Sequence, residues 1–176
     1  MSGANLIPEK VIAFRVYKDS NDLLGVADVT LPSLDYMTST TKGAGVAGEL
    51  ETPTIGHFGS QTIKMSFRTC AKSLTCLSVP KAHHLDIRGA IQVANASSGA
   101  LETRPLKVVV RAYPKKIDPG KLEVASAAGA SAEMECAYIK IVLNGETVTE
   151  IDKLNYIHKV DDTDELTAVR EALGLA

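Results

Sequence analysis

The stretch Glu133-Met134-Glu135-Cys136-Ala137-Tyr138-Ile139-Lys140-Ile141-Val142-Leu143 runs through Asn144-Gly145 into Glu146-Thr147-Val148-Thr149-Glu150-Ile151. In an extended chain successive side chains point to opposite faces, so Ile139, Ile141 and Leu143 share one side. Asn-Gly accepts positive φ at both central positions of a two-residue loop, which predicts a type I′ hairpin turn between two antiparallel strands. The same alternation recurs upstream. Leu106, Val108 and Val110 alternate with Lys107 and Arg111, although Val109 breaks the pattern. Leu85, Ile87, Ile91 and Val93 oppose Asp86, Arg88 and Gln92, and Ile63, Met65 and Phe67 oppose Thr62, Lys64, Ser66 and Arg68. Val11–Tyr17 and Gly25–Leu31 are further β-rich runs, the second ended by Pro32, which has no N–H for a ladder. Strands at this spacing predict a mainly β chain, an antiparallel sandwich or barrel.

Helix is scarce. A short one is expected from Ala71 to Ser78, ended by Pro80. A second is expected at the C-terminus, over about 162–174. Asp162 with Glu165 reads as a capping box, and Asp161, Asp162 and Asp164 suit the positive N-terminal end of a helix. Leu166, Val169 and Leu173 form one apolar stripe, and Gly174 supplies the stop.

The chain has 176 residues, 19 basic and 21 acidic, for a formal net charge of −2. At about 150 residues per domain this predicts a single domain spanning 1–176. Such a length buries about 70% of its unfolded surface and needs no staples. Hydrophobic residues make up 45%, which excludes a disordered or purely solvating chain. The balanced charge argues against a surface that grips phosphate backbones. Aromatics are only 5% and Trp is absent, so the core must rest on Val, Ile, Leu and Ala. Met1–Asn5 lacks the pattern of a secretion leader, and no apolar run is long enough to span a bilayer. Cys70, Cys76 and Cys136 are expected to be reduced, buried small hydrophobes.

Between the early strands and Ser60 the alternation lapses into Ser39-Thr40-Thr41-Lys42-Gly43-Ala44-Gly45-Val46-Ala47-Gly48-Glu49. A segment of this length without periodicity is usually functional. Weak alternation at Val46, Glu49, Leu50 and Glu51 also suits an extended hairpin arm. A second small-residue stretch, Glu123–Ser131, reads as a connection or a lumen-side loop.

Sites of chemistry fail on context. Gly43-Ala44-Gly45-Val46-Ala47-Gly48 matches G-x-G-x-x-G, but a dinucleotide loop needs a helix opening within it, and Pro53 follows instead. Cys70, Cys76, His83 and His84 lack tight metal-ligand spacing, and adjacent histidines on a strand point apart. His57 has no nucleophile placed near it, and no serine sits in a G-x-S-x-G elbow. Asn95-Ala96-Ser97 matches a glycosylation acceptor without a secretory context. The expectation is therefore no catalytic, cofactor or metal site. Amphipathic strands with open edges point instead to self-association. Two other readings stay open on the residues alone: a monomeric β-sandwich binding module for carbohydrate or peptide, and a metal-dependent enzyme with dispersed residues.

The block Tyr138–Glu146, continuing through Glu150-Ile151-Asp152-Lys153-Leu154-Asn155-Tyr156-Ile157-His158-Lys159-Val160, resembles the C-terminal signature of FII-like major tail tube proteins of contractile-tailed phages and phage-derived particles. The end Leu173-Gly174-Leu175 fits, and Asp28-Val29-Thr30-Leu31-Pro32 followed by Gly43-Ala44-Gly45 resembles the family's strand-then-arm segment. The resemblance implies a non-enzymatic subunit of hexameric rings that stack into a hollow tube inside a sheath. It also implies an arm over about 36–58 reaching neighbouring subunits, with Lys42, Gly43, Gly45, Gly48, Glu49 and Phe58 as assembly positions. The implied partners are other copies, the sheath, the baseplate hub, a tape measure protein and DNA in transit. The implied place is a virion tail or contractile particle built in a bacterial cytoplasm, without membrane insertion. A conduit for DNA should be polar without being strongly basic. Candidate lumen-facing positions of mixed sign are Lys64, Arg68, Asp86, Arg88, Gln92 and Glu133.

Overall fold

The Asn144-Gly145 turn has φ of +51° and +90° in a computed structural model that describes residues 5–19 and 21–175. Positive φ at both positions is the I′ signature, and it matches the twist of the strands it joins. These are β9 (Ala130–Leu143) and β10 (Glu146–Asp152). They are preceded by β1 (Leu6–Lys18), β2 (Asp22–Leu23), β3 (Val26–Thr30), β4 (Tyr36–Lys42), β5 (Glu49–Phe58), β6 (Thr62–Phe67), β7 (His83–Asn95) and β8 (Leu101–Asp118). They are followed by β11 (Ile157–Val160) and β12 (Thr163–Asp164), and the described residues also form two short α-helices, α1 (Lys72–Thr75) and α2 (Thr167–Ala172). The fold is mainly β and antiparallel, as the alternation predicts.

One sheet path runs β12-β11-β10-β9-β8-β7-β1-β2. β9 organises it. Along Tyr138–Leu143 it carries β10, and along Ala130–Glu135 the same edge carries β6. Between the two halves the register with β8 slips, from Arg111↔Tyr138 to Ala112↔Cys136, which leaves Ala137 as an extra residue. A bulge bends its strand and sharpens the local twist. β6 with its partner β3 can therefore lie over the other strands. Val29 and Leu31 line one small cavity together with Val11, Phe14, Ile87 and Leu106 from the opposite layer.

The core fills the space between the layers with the alternating residues read from sequence: Ile63, Met65 and Phe67 from β6, Leu85 and Ile87 from β7, Val108 and Val110 from β8, and Met134 and Ile139 from β9. Leu74 and Leu77, from α1 and the single 3-10 turn that follows it, join them. No aromatic but Phe67 stands in this cluster, as the composition requires.

The C-terminal helix is shorter than expected. Asp161 and Asp162 adopt φ of +45° and +65°, a left-handed turn that Asp tolerates better than most residues. The turn sends Thr163–Asp164 back as β12 beside β11. Asp162 is thus no N-cap. Leu166 stands at the N-cap of α2 with no side chain capping it; Asp164 instead holds the entry to the helix, its Oδ1 accepting the Leu166 N–H at 3.1 Å while its backbone carbonyl accepts the Thr167 hydroxyl. Gly174 ends α2 at φ +69° as expected. Of the apolar stripe, Leu166 is buried, Val169 half-buried and Leu173 exposed. The cysteines also depart from expectation. All are free thiols, but only Cys136 is buried, and Cys70 is exposed. The first four residues, read above for a leader, lie outside the described residues.

Candidate assembly surfaces

The arm forms as a two-stranded sheet of its own, β4 against β5. Lys42 pairs with Glu49 across its tip, with Nζ 3.4 Å from Oε1. Gly43, Gly45 and Gly48 between them have φ of +127°, +95° and +131°, conformations that glycine alone adopts without strain. A strand follows them, so the G-x-G-x-x-G spacing makes a loop tip with no helix N-terminus for a pyrophosphate. Every residue of β4 is exposed. The register of Thr41 with Leu50 puts Met37, Thr41 and Leu50 on one face, and that of Lys42 with Glu49 puts those charges and Glu51 on the other.

Phe58 is different from the rest of the arm set. It is buried in its own subunit, tilted against Tyr36 at 4.9 Å between centroids and edge-on to His158 at 5.0 Å. Beside it Gly56, at φ +70°, lies so close to Leu166 that a Cβ there would come 2.6 Å from Cδ1. The segment after the arm is held equally firmly. Glu135 accepts the Ser60 hydroxyl at 2.6 Å and the Gln61 N–H at 3.0 Å, and Lys153 Nζ lies 3.4 Å away while donating to the Gly59 carbonyl at 2.9 Å. Burial pushes the Glu135 carboxyl upward, but these donors outweigh it and hold it below the ordinary carboxylate range. Sequence reasoning missed this foot entirely, since its partners lie far apart in the chain and no local spacing links them.

The six polar candidates divide into two groups. Lys64 and Glu133 are cross-strand partners with 3.2 Å between Nζ and Oε1, and Arg68 follows on the same side just past β6. Asp86, Arg88 and Gln92 alternate with the core residues of β7 in the opposite layer. Each group faces away from one shared core, so the two point to opposite sides of the sandwich. Asp86 is itself buried, bonded to Arg88 at 2.7 Å and 3.5 Å from the Lys107 Nζ. The same layer face carries Arg111 on Asp152 at 2.5 Å, Lys140 near Glu150, and the Tyr138 hydroxyl on Glu150 at 2.8 Å. Burial and that Glu150 bond push the Tyr138 phenol far above its ordinary value. Charges of both signs are thus mostly neutralised in place.

The residues weighed for chemistry are not brought together. His83 is buried with Nε2 2.9 Å from the Val79 carbonyl, while His84 lies exposed on the other face. Cys76 donates to the Ser73 carbonyl. His57 stands exposed at the arm's foot. Among the described residues no group of three or more His, Cys, Asp or Glu could hold a metal, and no helix is long and apolar enough to cross a membrane.

One strand edge is open. β1 pairs with β7 along its length, but its other side meets β2 only at Tyr17 and Lys18. From Leu6 to Val16 that edge carries no strand among the described residues, and Ile7, Val11 and Ile12 beside it are half exposed.

A sandwich with a free arm and an open edge is a shape for association, and the family model for phage tail tube protein FII matches residues 8–174. The chain belongs to this family of phage tail tube proteins. It is 26% identical over 182 residues to the tail tube protein of Escherichia phage P2, covering 96% of this chain and 99% of that one. It is 23% identical to the major tail tube protein of Serratia phage KSP20, over 88% and 89% of the two. Its fold is similar to a chain in the sheath/tube terminator of an extracellular contractile injection system, with a TM-score of 0.53 at 14% identity over 77% of this chain and 96% of that one. A chain of a sheath-tube complex of such a system gives a TM-score of 0.50 at 15% identity over 77% and 90%. This tail tube protein is accordingly a structural component of a phage-type contractile tail.

Proposed function

We propose that the whole chain, 1–176, acts as one tail tube domain, six copies of which close into a ring, and that rings stack into a hollow tube inside a contractile sheath. The observation that carries this is the open edge of β1 from Leu6 to Val16. A long, half-apolar edge in a free chain invites uncontrolled pairing, and a closed ring of copies removes it. The layer that owns this edge is then the one that joins its neighbours into the inner barrel, which assigns Asp86, Arg88 and Gln92 to the lumen wall and Lys64, Arg68 and Glu133 to the outer side. Asp86 neutralised by Arg88 and Lys107 gives a polar wall on which DNA gains few released counterions and can slide.

The partners that follow are the sheath around the tube, the baseplate hub at its end, and a tape measure protein and DNA in its bore, with assembly in the bacterial host cytoplasm. The solved sheath-tube complex that resembles this fold supports the sheath as a partner. Lys42, Gly43, Gly45, Gly48 and Glu49 act at the arm tip, while Phe58 anchors the arm from within. Negative-stain microscopy of the purified protein tests the reading. Rings or tubes of uniform diameter are expected, and a homogeneous monomer at high concentration contradicts it.

A further inference from the structure

The Asn144-Gly145 turn joins β9 to β10, and it also brings together two groups that react with each other. Asparagine is among the thermolabile side chains. The backbone nitrogen that follows it can attack its side-chain carbonyl carbon and close a cyclic imide. Two conditions favour that attack: the attacking N–H is not hydrogen-bonded, and the residue that carries it lets the peptide rotate. Glycine meets the second best, because it lacks a Cβ.

These conditions separate the asparagines of the chain. Asn5, Asn21, Asn95 and Asn155 precede Leu6, Asp22, Ala96 and Tyr156, and Asn144 alone precedes a glycine. The Asn95 side chain accepts the Ser97 and Ser98 N–H groups, and the Ala96 N–H donates to the Asn5 carbonyl at 2.9 Å. The Asn155 amide donates to Asp152 at 2.7 Å. Among the described residues neither the Asn144 side chain nor the Gly145 N–H is hydrogen-bonded. Both residues are exposed to water, and nothing lies within 4 Å of where a Gly145 Cβ would stand. The reacting pair is free.

One neighbour gives the product a role. Asn144 and Arg104 line the same cavity of about 240 Å³, together with Pro105 and Leu143. The Asn144 N–H donates to the Pro105 carbonyl at 2.9 Å, which ties the turn to the residue after Arg104. Arg104 is half-buried and makes no ion pair among the described residues. A carboxylate in place of the Asn144 amide would share that cavity with an unmatched guanidinium. Asp-Gly favours the same I′ turn as Asn-Gly, so the hairpin keeps its register while gaining a partner for Arg104.

We infer that Asn144 is a site of spontaneous deamidation, and that the carboxylate it yields pairs with Arg104. The Gly145 nitrogen loses its proton to water or hydroxide and bonds to Asn144 Cγ. The Cγ–Nδ2 bond breaks, and the side-chain nitrogen takes up a proton and leaves as ammonia. Water then opens the imide. Cleavage of the new Cγ–N bond gives aspartate, and cleavage of the original peptide bond gives isoaspartate. Asparagine and water thus become aspartate and ammonia, and no other reactant is needed. The isoaspartate branch routes the main chain through Cβ, and that extra backbone carbon does not fit a two-residue I′ turn. The chemistry belongs to the subunit itself and does not depend on ring formation.

Peptide mass spectrometry of the full-length protein, kept folded at mildly alkaline pH, tests it. The peptide holding Asn144 should gain the mass difference between Asp and Asn with time and split into two species of equal mass. Asn95 and Asn155 should stay unchanged over the same period. In water enriched in heavy oxygen the product should carry one heavy atom. Asn144 that persists as long as Asn95, or that changes only in urea-unfolded protein, overturns the site. Asn144→Asp should keep the hairpin and raise the thermal midpoint above wild type, and adding Arg104→Gln should abolish that gain. No gain, or a gain that survives Arg104→Gln, overturns the pairing.

Discussion

The Phe58 ring meets the His158 imidazole edge-on, with centroids 5.0 Å apart and planes at 85°. This contact joins the last residue of β5 to a strand 100 positions along the chain. It makes the foot of the arm part of the body, while Met37–Lys42 of the arm stay exposed. Around the contact lie Gly56 against Leu166 and the Glu135–Lys153 network. The arm is therefore a rigidly mounted projection.

Phe58→Ala should remove the central member of this cluster. Burial of an aromatic side chain contributes about 3–5 kcal/mol when lost to a cavity. Urea unfolding of the free subunit should show a loss of that size, and a midpoint within error of wild type would mean the cluster is not holding the foot.

Gly56→Val combines two costs, a side chain at φ +70° and a Cβ driven into Leu166. Backbone strain of this kind alone costs about 1–3 kcal/mol. A lowered thermal midpoint is expected, with faster proteolysis between the arm and Gly59. Protease resistance equal to wild type would argue that the foot tolerates displacement.

The Asp164 carboxyl is pushed up by burial but held below its ordinary value by the Arg170 guanidinium at 2.6 Å and the N–H groups of Leu166 and His158. A depressed folded pKa contributes stability above the unfolded value of about 4 and loses it as pH falls through the folded value. Amide exchange over 163–172 should therefore quicken below about pH 4. Asp164→Asn should exchange fast already at neutral pH, and a wild-type profile in that variant would remove Asp164 from this role.

Asp152 is buried and accepts from Arg111, from the N–H groups of Leu154 and Asn155, and from the Asn155 amide. Asp152→Ala leaves three local donors and the part-exposed Arg111 without their acceptor, at about 1–3 kcal/mol. The more exposed Lys64–Glu133 pair should give only about 0.2–1 kcal/mol in a double-mutant cycle. Denaturant titrations of the two sets should differ several-fold, and similar values would mean that burial does not decide the worth of these pairs.

Deleting Lys42–Glu49 removes the arm tip, exposed throughout but for the half-buried Val46. The shortened chain should melt like wild type yet fail to grow tubes by electron microscopy. Normal tubes would strip the tip of its assembly role.

Local chemistry by itself determined the strands, the Asn144-Gly145 hairpin, the stop at Pro32, the Gly174 cap, and which face of each strand meets the core. Each depends on neighbours two to four residues apart, where side-chain alternation and allowed φ leave few choices. The motif block from Tyr138 to Val160 was specific enough to point to the family. Only the tertiary structure decided the rest. Asp161 and Asp162 look like a helix start until they turn the chain back on β11, which draws Thr163–Asp164 into the sheet because ladder bonds there replace a helical cap. Phe58 reads as part of an arm until Tyr36 and His158 enclose it. The lumen candidates read as one set until the bulge at Ala137 folds β6 over β7 and turns their polar faces apart. For Phe58 and for the lumen candidates the deciding partners lie dozens of residues away, and their proximity follows from how the layers close over a common core.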